Sequence, residues 1–169
     1  MKGFVHVYTG DGKGKTTAAL GMAIRAAGAE KKVFIGQFVK GQPYSEHKIL
    51  EKLGIEYNLY GLDCFIINEP TDRDRKSALT GFEEMKKIIN SGSYDLVILD
   101  EINIATYYQL LSIDHLKYMI LNRPSQVELI LTGRYADAEI IKLADLVTEM
   151  KEVKHYYQNG VEARKGIEY

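Results

Sequence analysis

The sequence predicts an α/β fold in one domain, a mostly parallel sheet with helices on both faces. Three observations predict it. Strand-like and helix-like segments alternate from end to end. The strand-like segments are short continuous apolar runs, the pattern of strands covered on both faces. The chain has 169 residues, enough for one domain with a real core and too few for two.

Each element follows in order. Phe4-Val5-His6-Val7-Tyr8 is the first strand, and a helix begins near Thr16 with the Ala-rich run Ala18-Ala19-Leu20-Gly21-Met22-Ala23. Val33 to Val39 is a second buried strand. Ser45 to Leu53 predicts a helix ending at Gly54, with Ile49, Leu50 and Leu53 on one face. Ile55 to Tyr60 predicts another strand. Residues 60 to 71 are the longest stretch without periodicity, and long loops in compact domains are often functional. Asp72 to Asn90 is a helix that Asp72 can cap, with Ala78, Phe82, Met85 and Ile89 at helical spacing and Gly92-Ser93 as its stop. Leu96-Val97-Ile98-Leu99 is a strand closing on Asp100-Glu101. Ile113 to Leu121 is helical, with Asp114 near its start. Val127 to Leu131 is the next strand, leading into Thr132-Gly133-Arg134. Ala136 to Ala144 is a last helix, and Leu146-Val147 starts a final extended stretch. Repeats, low-complexity segments and linkers are missing from this pattern.

Composition narrows the function. A net charge of −1 lacks the basic excess of a general nucleic-acid binder. The single cysteine, Cys64, allows no disulfide, zinc lasso or C-x-x-C pair within one chain. No apolar run approaches the roughly 20 residues of a membrane span, and the N-terminus shows no signal-peptide pattern. The expectation is a cytoplasmic protein with neither a nucleic-acid nor a membrane partner.

Thr9-Gly10-Asp11-Gly12-Lys13-Gly14-Lys15-Thr16-Thr17 sits between the first strand and the first helix. Strand, glycine loop, Lys-Thr, helix is the layout of a nucleotide phosphate cradle, the P-loop. Glycines let backbone N–H groups converge on an anion, and the helix start adds its positive dipole end. Lys15 is placed to reach the outer phosphates and the Thr16 hydroxyl to ligate Mg²⁺. The match to G-x-x-x-x-G-K-[ST] is displaced by one place, because position 9 is Thr9 and the glycine is Gly10. Leu96 to Glu101 has the form of the acidic strand that accompanies such a loop. One of Asp100 and Glu101 is expected to hold Mg²⁺, directly or through water, and the other to orient a ligand or activate water. Strand ends on one side of a parallel sheet can bring the loop, the acidic pair and Arg134 to one site. Arg134 and Lys13 each have two readings, a phosphate clamp or a solvated surface cation. His6 reads as packed rather than catalytic, and His47 and His115 as helix-surface residues. Tyr107, Tyr108, Tyr156 and Tyr157 offer flat faces for a ligand, though core or interface packing is the favoured reading of each.

These residues resemble the P-loop corrinoid adenosyltransferase family, the ATP:cob(I)alamin or cob(I)yrinic acid a,c-diamide adenosyltransferases. Its shortened loop, G-[ND]-G-K-G-K-T-T, accounts for the displaced glycine. Gln37-Phe38-Val39-Lys40-Gly41, Leu99-Asp100-Glu101-Ile102-Asn103, Asn122-Arg123-Pro124 and Thr132-Gly133-Arg134 match the family in order. So do Leu143 to Glu149, Val153-Lys154-His155 and Gly160 to Tyr169. The resemblance implies a recombinase-type P-loop sheet, a homodimer, and transfer of the 5′-deoxyadenosyl group of ATP to the Co(I) of a reduced corrinoid, with triphosphate leaving. It implies that Gly10, Asp11, Gly12, Lys13, Gly14, Lys15, Thr16, Thr17 and Arg134 bind ATP. Lys15, Thr16 and Glu101 are then the catalytic set, with Mg²⁺ on Thr16, Glu101 and Asp100. It also implies a flavoprotein or other reductase that supplies Co(I).

The chain departs from the family twice. It begins almost at the first strand, where better-known members carry an extension, so cover for the site is expected from elsewhere or the site is more open. Gly61-Leu62-Asp63-Cys64-Phe65-Ile66-Ile67 stands where they place a Phe-x-Trp pair against the corrinoid, and Leu62, Phe65 or Ile66 are the candidate substitutes. Cys64 reads as a small apolar residue rather than a cobalt ligand. A P-loop kinase or ATPase, and a nucleotide or corrinoid carrier without turnover, are the alternative functions.

Overall fold

The computed structural model describes residues 2–62 and 69–169. Cys64, Phe65, Ile66 and Ile67 of the loop expected to meet the corrinoid lie outside the described residues. Among those described, six strands form one all-parallel sheet: β1 (Val5–Thr9), β2 (Val33–Phe38), β3 (Glu56–Tyr60), β4 (Leu96–Asp100), β5 (Glu128–Thr132) and β6 (Leu146–Glu149). Their spatial order is β3-β2-β4-β5-β1-β6. The helices are α1 (Lys15–Gly28), α2 (His47–Lys52), α3 (Asp72–Ser91), α4 (Ile102–Tyr107), α5 (Ile113–Asn122) and α6 (Ala138–Leu143), and a 3₁₀ turn spans Tyr156–Asn159.

The apolar runs become central strands for the expected reason. Every residue of β2 and β4 is buried, because helices cover both faces. Side chains alternate across the pleat. Val97, Leu99, Leu129 and Leu131 join one core with Phe82 and Met85 of α3 and Leu116 of α5. Ile35, Ile98 and Ile130 join the opposite core with Ala19 and Ala23 of α1 and Leu50 of α2. The edge strand β6 is exposed along its length.

Four local expectations need correction. Thr71, not Asp72, caps α3. Its hydroxyl accepts from the Asp74 N–H at 3.3 Å while the Asp74 carboxylate accepts from the Thr71 N–H at 2.8 Å, a reciprocal box centred on the residue before the helix, whereas Asp72 is already its first helical residue. His47 is buried beneath the cleft wall rather than on the surface of α2. His115 is partly buried, completes the capping box of α5 with Ser112, and packs 4.4 Å from the Phe82 ring. Helix α4 directly follows β4, and only six residues with a non-capping Glu101 ahead of them leave no start signal in the sequence.

Candidate active site at the carboxyl ends of the strands

The parallel order puts the carboxyl ends of β1, β2, β4 and β5 at one rim of the sheet, where such folds bind ligands. A cleft of about 790 Å³ opens there. Asp11, Gly12, Lys13, Gly14, Lys15, Thr16, Thr17, Glu101 and Arg134 all line it. Gly10 and Asp100 stand behind this lining, each bonded to a residue in it.

The loop between β1 and α1 is held open by its glycines. Gly10 and Gly14 have φ of 92° and 119°, a region that side chains rarely enter. A Cβ on Gly10 would also fall 2.6 Å from the Met150 carbonyl oxygen. Helix α1 has no side-chain cap and no acid in its first turn, so its leading N–H groups are free to meet an anion. Lys15 is buried and its ammonium donates to the carbonyls of Gly10 and Gly12, both at 2.7 Å. Burial pulls its pKa below the ordinary lysine value. An anionic ligand seated in the loop would reverse that penalty.

The two acids differ in environment. Asp100 is buried and its carboxylate is saturated. One oxygen accepts from the hydroxyls of Thr16 at 2.8 Å and Thr132 at 2.6 Å. The other accepts from the Gln37 amide at 2.9 Å and the Lys40 ammonium at 3.3 Å. Burial pushes Lys40 down, but Asp100 and Glu46 together hold its pKa above the usual value. Glu101 has φ of 57°, with its N–H fixed by the Thr132 hydroxyl at 3.0 Å. Among the described residues its carboxylate accepts no hydrogen bond, and burial, then the charge of Asp100, pushes its pKa up to about 6. A carboxylate left open at a site edged with cations suits a divalent ion shared with phosphate. No cluster of three or more His, Cys, Asp or Glu gathers among the described residues.

The two cations with open readings both meet protein. Arg134 donates to the Asp11 carbonyl at 3.1 Å and so closes on the loop. Lys13 reaches the C-terminal segment, donating to the Ile167 carbonyl at 3.0 Å and pairing with Glu168 at 3.3 Å. That segment walls the cleft with Gly166 to Tyr169, and the Ser45 hydroxyl bonds the Tyr169 carbonyl at 3.0 Å. His6 binds Glu128 at 2.6 Å and does not line the cleft. Tyr108 lines it, Tyr107 stacks on Tyr135 at 4.2 Å, and Tyr156 bonds Glu168. Gln37, Lys40 and Thr132 lie in segments that match the family, Gln37 to Gly41 and Thr132 to Arg134, but the match assigns none of them a role. The further signal that could have found them is position, at or just past the carboxyl end of a strand on the rim that carries the loop and the acidic pair.

The family model of ATP:corrinoid adenosyltransferase BtuR/CobO/CobP matches residues 1–169 of the chain. The chain is 37% identical over 169 residues to the corrinoid adenosyltransferase of Escherichia coli (strain K12), covering 99% of this chain and 86% of that one. It is 35% identical over 169 residues to the corrinoid adenosyltransferase CobA of Salmonella typhimurium (strain LT2), with the same coverage of 99% and 86%. The corrinoid adenosyltransferase of Pseudomonas aeruginosa (strain PAO1) is 33% identical over 171 residues, covering 99% and 84%.

Proposed function

The chain belongs to the ATP:corrinoid adenosyltransferase family, an enzyme family that moves the adenosyl group of ATP to a corrinoid, and from this we propose how its cleft does so. ATP lies with its triphosphate over the loop Gly10 to Thr17. The N–H groups at the start of α1 and the ammonium of Lys15 take the phosphate oxygens, and Arg134 adds charge beside Asp11. Thr16 and Glu101 would hold Mg²⁺. Asp100, whose oxygens are all engaged, orients Thr16 instead of binding the ion itself. When bound, Mg²⁺ neutralises the leaving triphosphate.

The nucleophile belongs to the substrate. Co(I) of the reduced corrinoid gives its electron pair to the ribose C5′, a Co–C bond forms, and the C5′–O bond breaks as triphosphate leaves with its electrons. The protein positions the two substrates and stabilises the charge that develops on the leaving group. It needs no nucleophilic side chain and no general base. We further propose a homodimer, a cytoplasmic setting, and a flavoprotein or other reductase as the source of Co(I). Among the described residues no helix is long and apolar enough to cross a membrane.

The observation that carries this reading is the division of labour between the two acids, Asp100 saturated beneath Thr16 and Glu101 open at the cleft. The test is product analysis with Mg-ATP and chemically reduced cob(I)alamin under anaerobic conditions. A light-sensitive Co–C product with stoichiometric triphosphate is expected. ADP with unchanged cobalt would overturn it in favour of a kinase or ATPase.

A further inference from the structure

The donor that holds Asp100 from below, Gln37, is itself held. Gln37 on β2 sits beside Asp100 on β4 in the parallel register and is fully buried. Its amide nitrogen donates to Asp100 at 2.9 Å, and its amide oxygen lies 2.6 Å from Nε2 of His47. His47, the first residue of α2, is also buried, with its ring 4.5 Å from that of Tyr57. The Tyr44 N–H donates to its Nδ1 at 2.7 Å, while the Tyr44 carbonyl is farther, at 3.2 Å. An acceptor at Nδ1 leaves the proton on Nε2, so His47 donates to Gln37.

This chain of bonds has one direction. The Tyr44 N–H sets the tautomer of His47, His47 sets which end of the Gln37 amide faces Asp100, and Gln37 gives Asp100 a donor. Without the His47 donor the amide is free to turn, and the turned amide presents oxygen to a carboxylate. Tyr44 lines the cleft and carries the Lys40 ammonium 5.4 Å from its ring centre, so the same bonds fix the wall that brings Lys40 to Asp100.

We propose that His47 is a positioning residue for the metal end of the cleft, orienting Gln37 so that Asp100 keeps Thr16 in place for Mg²⁺. The proposal rests on the assignment of Mg²⁺ to Thr16 and Glu101 made above. Two variants separate the two nitrogens. His47→Gln can still donate to Gln37 but loses the acceptor at Nδ1. His47→Asn keeps an acceptor for Tyr44 but cannot reach Gln37.

The readout is ATP affinity by calorimetry as Mg²⁺ is varied, with thermal stability followed beside it. His47→Asn is expected to raise the half-saturating Mg²⁺ concentration about tenfold, the usual scale for residues that orient metal ligands. Its ATP affinity without Mg²⁺ should not change, and His47→Gln should stay within about twofold of the parent. Equal shifts in both variants, or none in His47→Asn, overturn the proposal. If His47→Asn does not fold, His47→Phe keeps the stack on Tyr57 without either nitrogen and should show the same tenfold shift; no shift there also overturns it. Corrinoid adenosylation is assayed in parallel. Absent adenosylation with the Asn and Gln variants still separated counts against the proposed reaction alone. Intact adenosylation with the two variants alike counts against His47 alone.

Discussion

Lys15 and Glu101 are each held in an environment that opposes their charge, and each invites the ligand that would relieve it. Lys15 donates to two loop carbonyls while buried, and phosphate would replace them. Lys15→Met should therefore cut ATP affinity about 10- to 100-fold, the worth of a hydrogen bond to a charged partner, measured by calorimetry. Glu101 titrates near 6, above the ordinary 4.5, first because of burial and then because of Asp100. Between those two values the folded chain holds a proton that the unfolded chain has released. Stability therefore rises as pH falls from 6 towards 4.5, and above 6 the ionised group costs on the order of 1 kcal/mol. Glu101→Gln should be more stable to heat than the parent at pH 8, with the gap closing by pH 4.5. A variant no more stable at pH 8 would count against this account. Residues with a motif around them, Lys15, Thr16 and Glu101, are legible in the sequence because spacing fixes their neighbours. Gln37 stands in a matched segment and His47 in none, and the role of neither is legible, because it comes from a contact across strands and a helix that no spacing records.

At the scale of elements, periodicity revealed those long enough to repeat. α3 carries its core face at Ala78, Phe82, Met85 and Ile89, as its spacing implies. α4 has no room for a second turn of pattern, and tertiary packing alone makes it a helix, with Ile102 and Ala105 fully buried. Two substitutions test how α3 is seated. Thr71→Ala removes the hydroxyl that starts the helix and should cost about 1 kcal/mol in denaturant unfolding. Gly81 faces Tyr60 of β3 so closely that a Cβ would lie 2.5 Å from the ring. Gly81→Ala should cost about 1–3 kcal/mol by forcing the helix off the sheet. An unchanged unfolding midpoint would mean that α3 can slide.

For the whole molecule, the parallel arrangement was readable from alternating segments, but the strand order was not, since it depends on which crossovers the helices can cover. The course of the last twenty residues was also hidden. They return to the phosphate loop, where the Gly12 N–H donates to the Met150 carbonyl at 2.6 Å and Glu168 meets Lys13, Tyr156 and Arg164. The bond from Tyr156 and those from Arg164 pull Glu168 down to about 2. Glu168→Gln should loosen this segment, and trypsin should cut after Arg164 and Lys165 several-fold faster than in the parent, with ATP slowing the cut if the segment and the nucleotide meet. Equal rates would mean that the segment is held elsewhere.

The strand order also sets a timetable for synthesis. β1 leaves the ribosome first, yet its neighbours are β5 and β6, the last strands made. The strand that carries the phosphate loop must wait, with both edges open, until β5 has been made, and with one edge open until β6 follows. Contacts this distant in sequence close slowly and leave unpaired edges exposed meanwhile. The β2, β3 and β4 half can pair within itself during that interval, and a nascent chain stalled before residue 128 has no strand to seat the one that carries the phosphate loop.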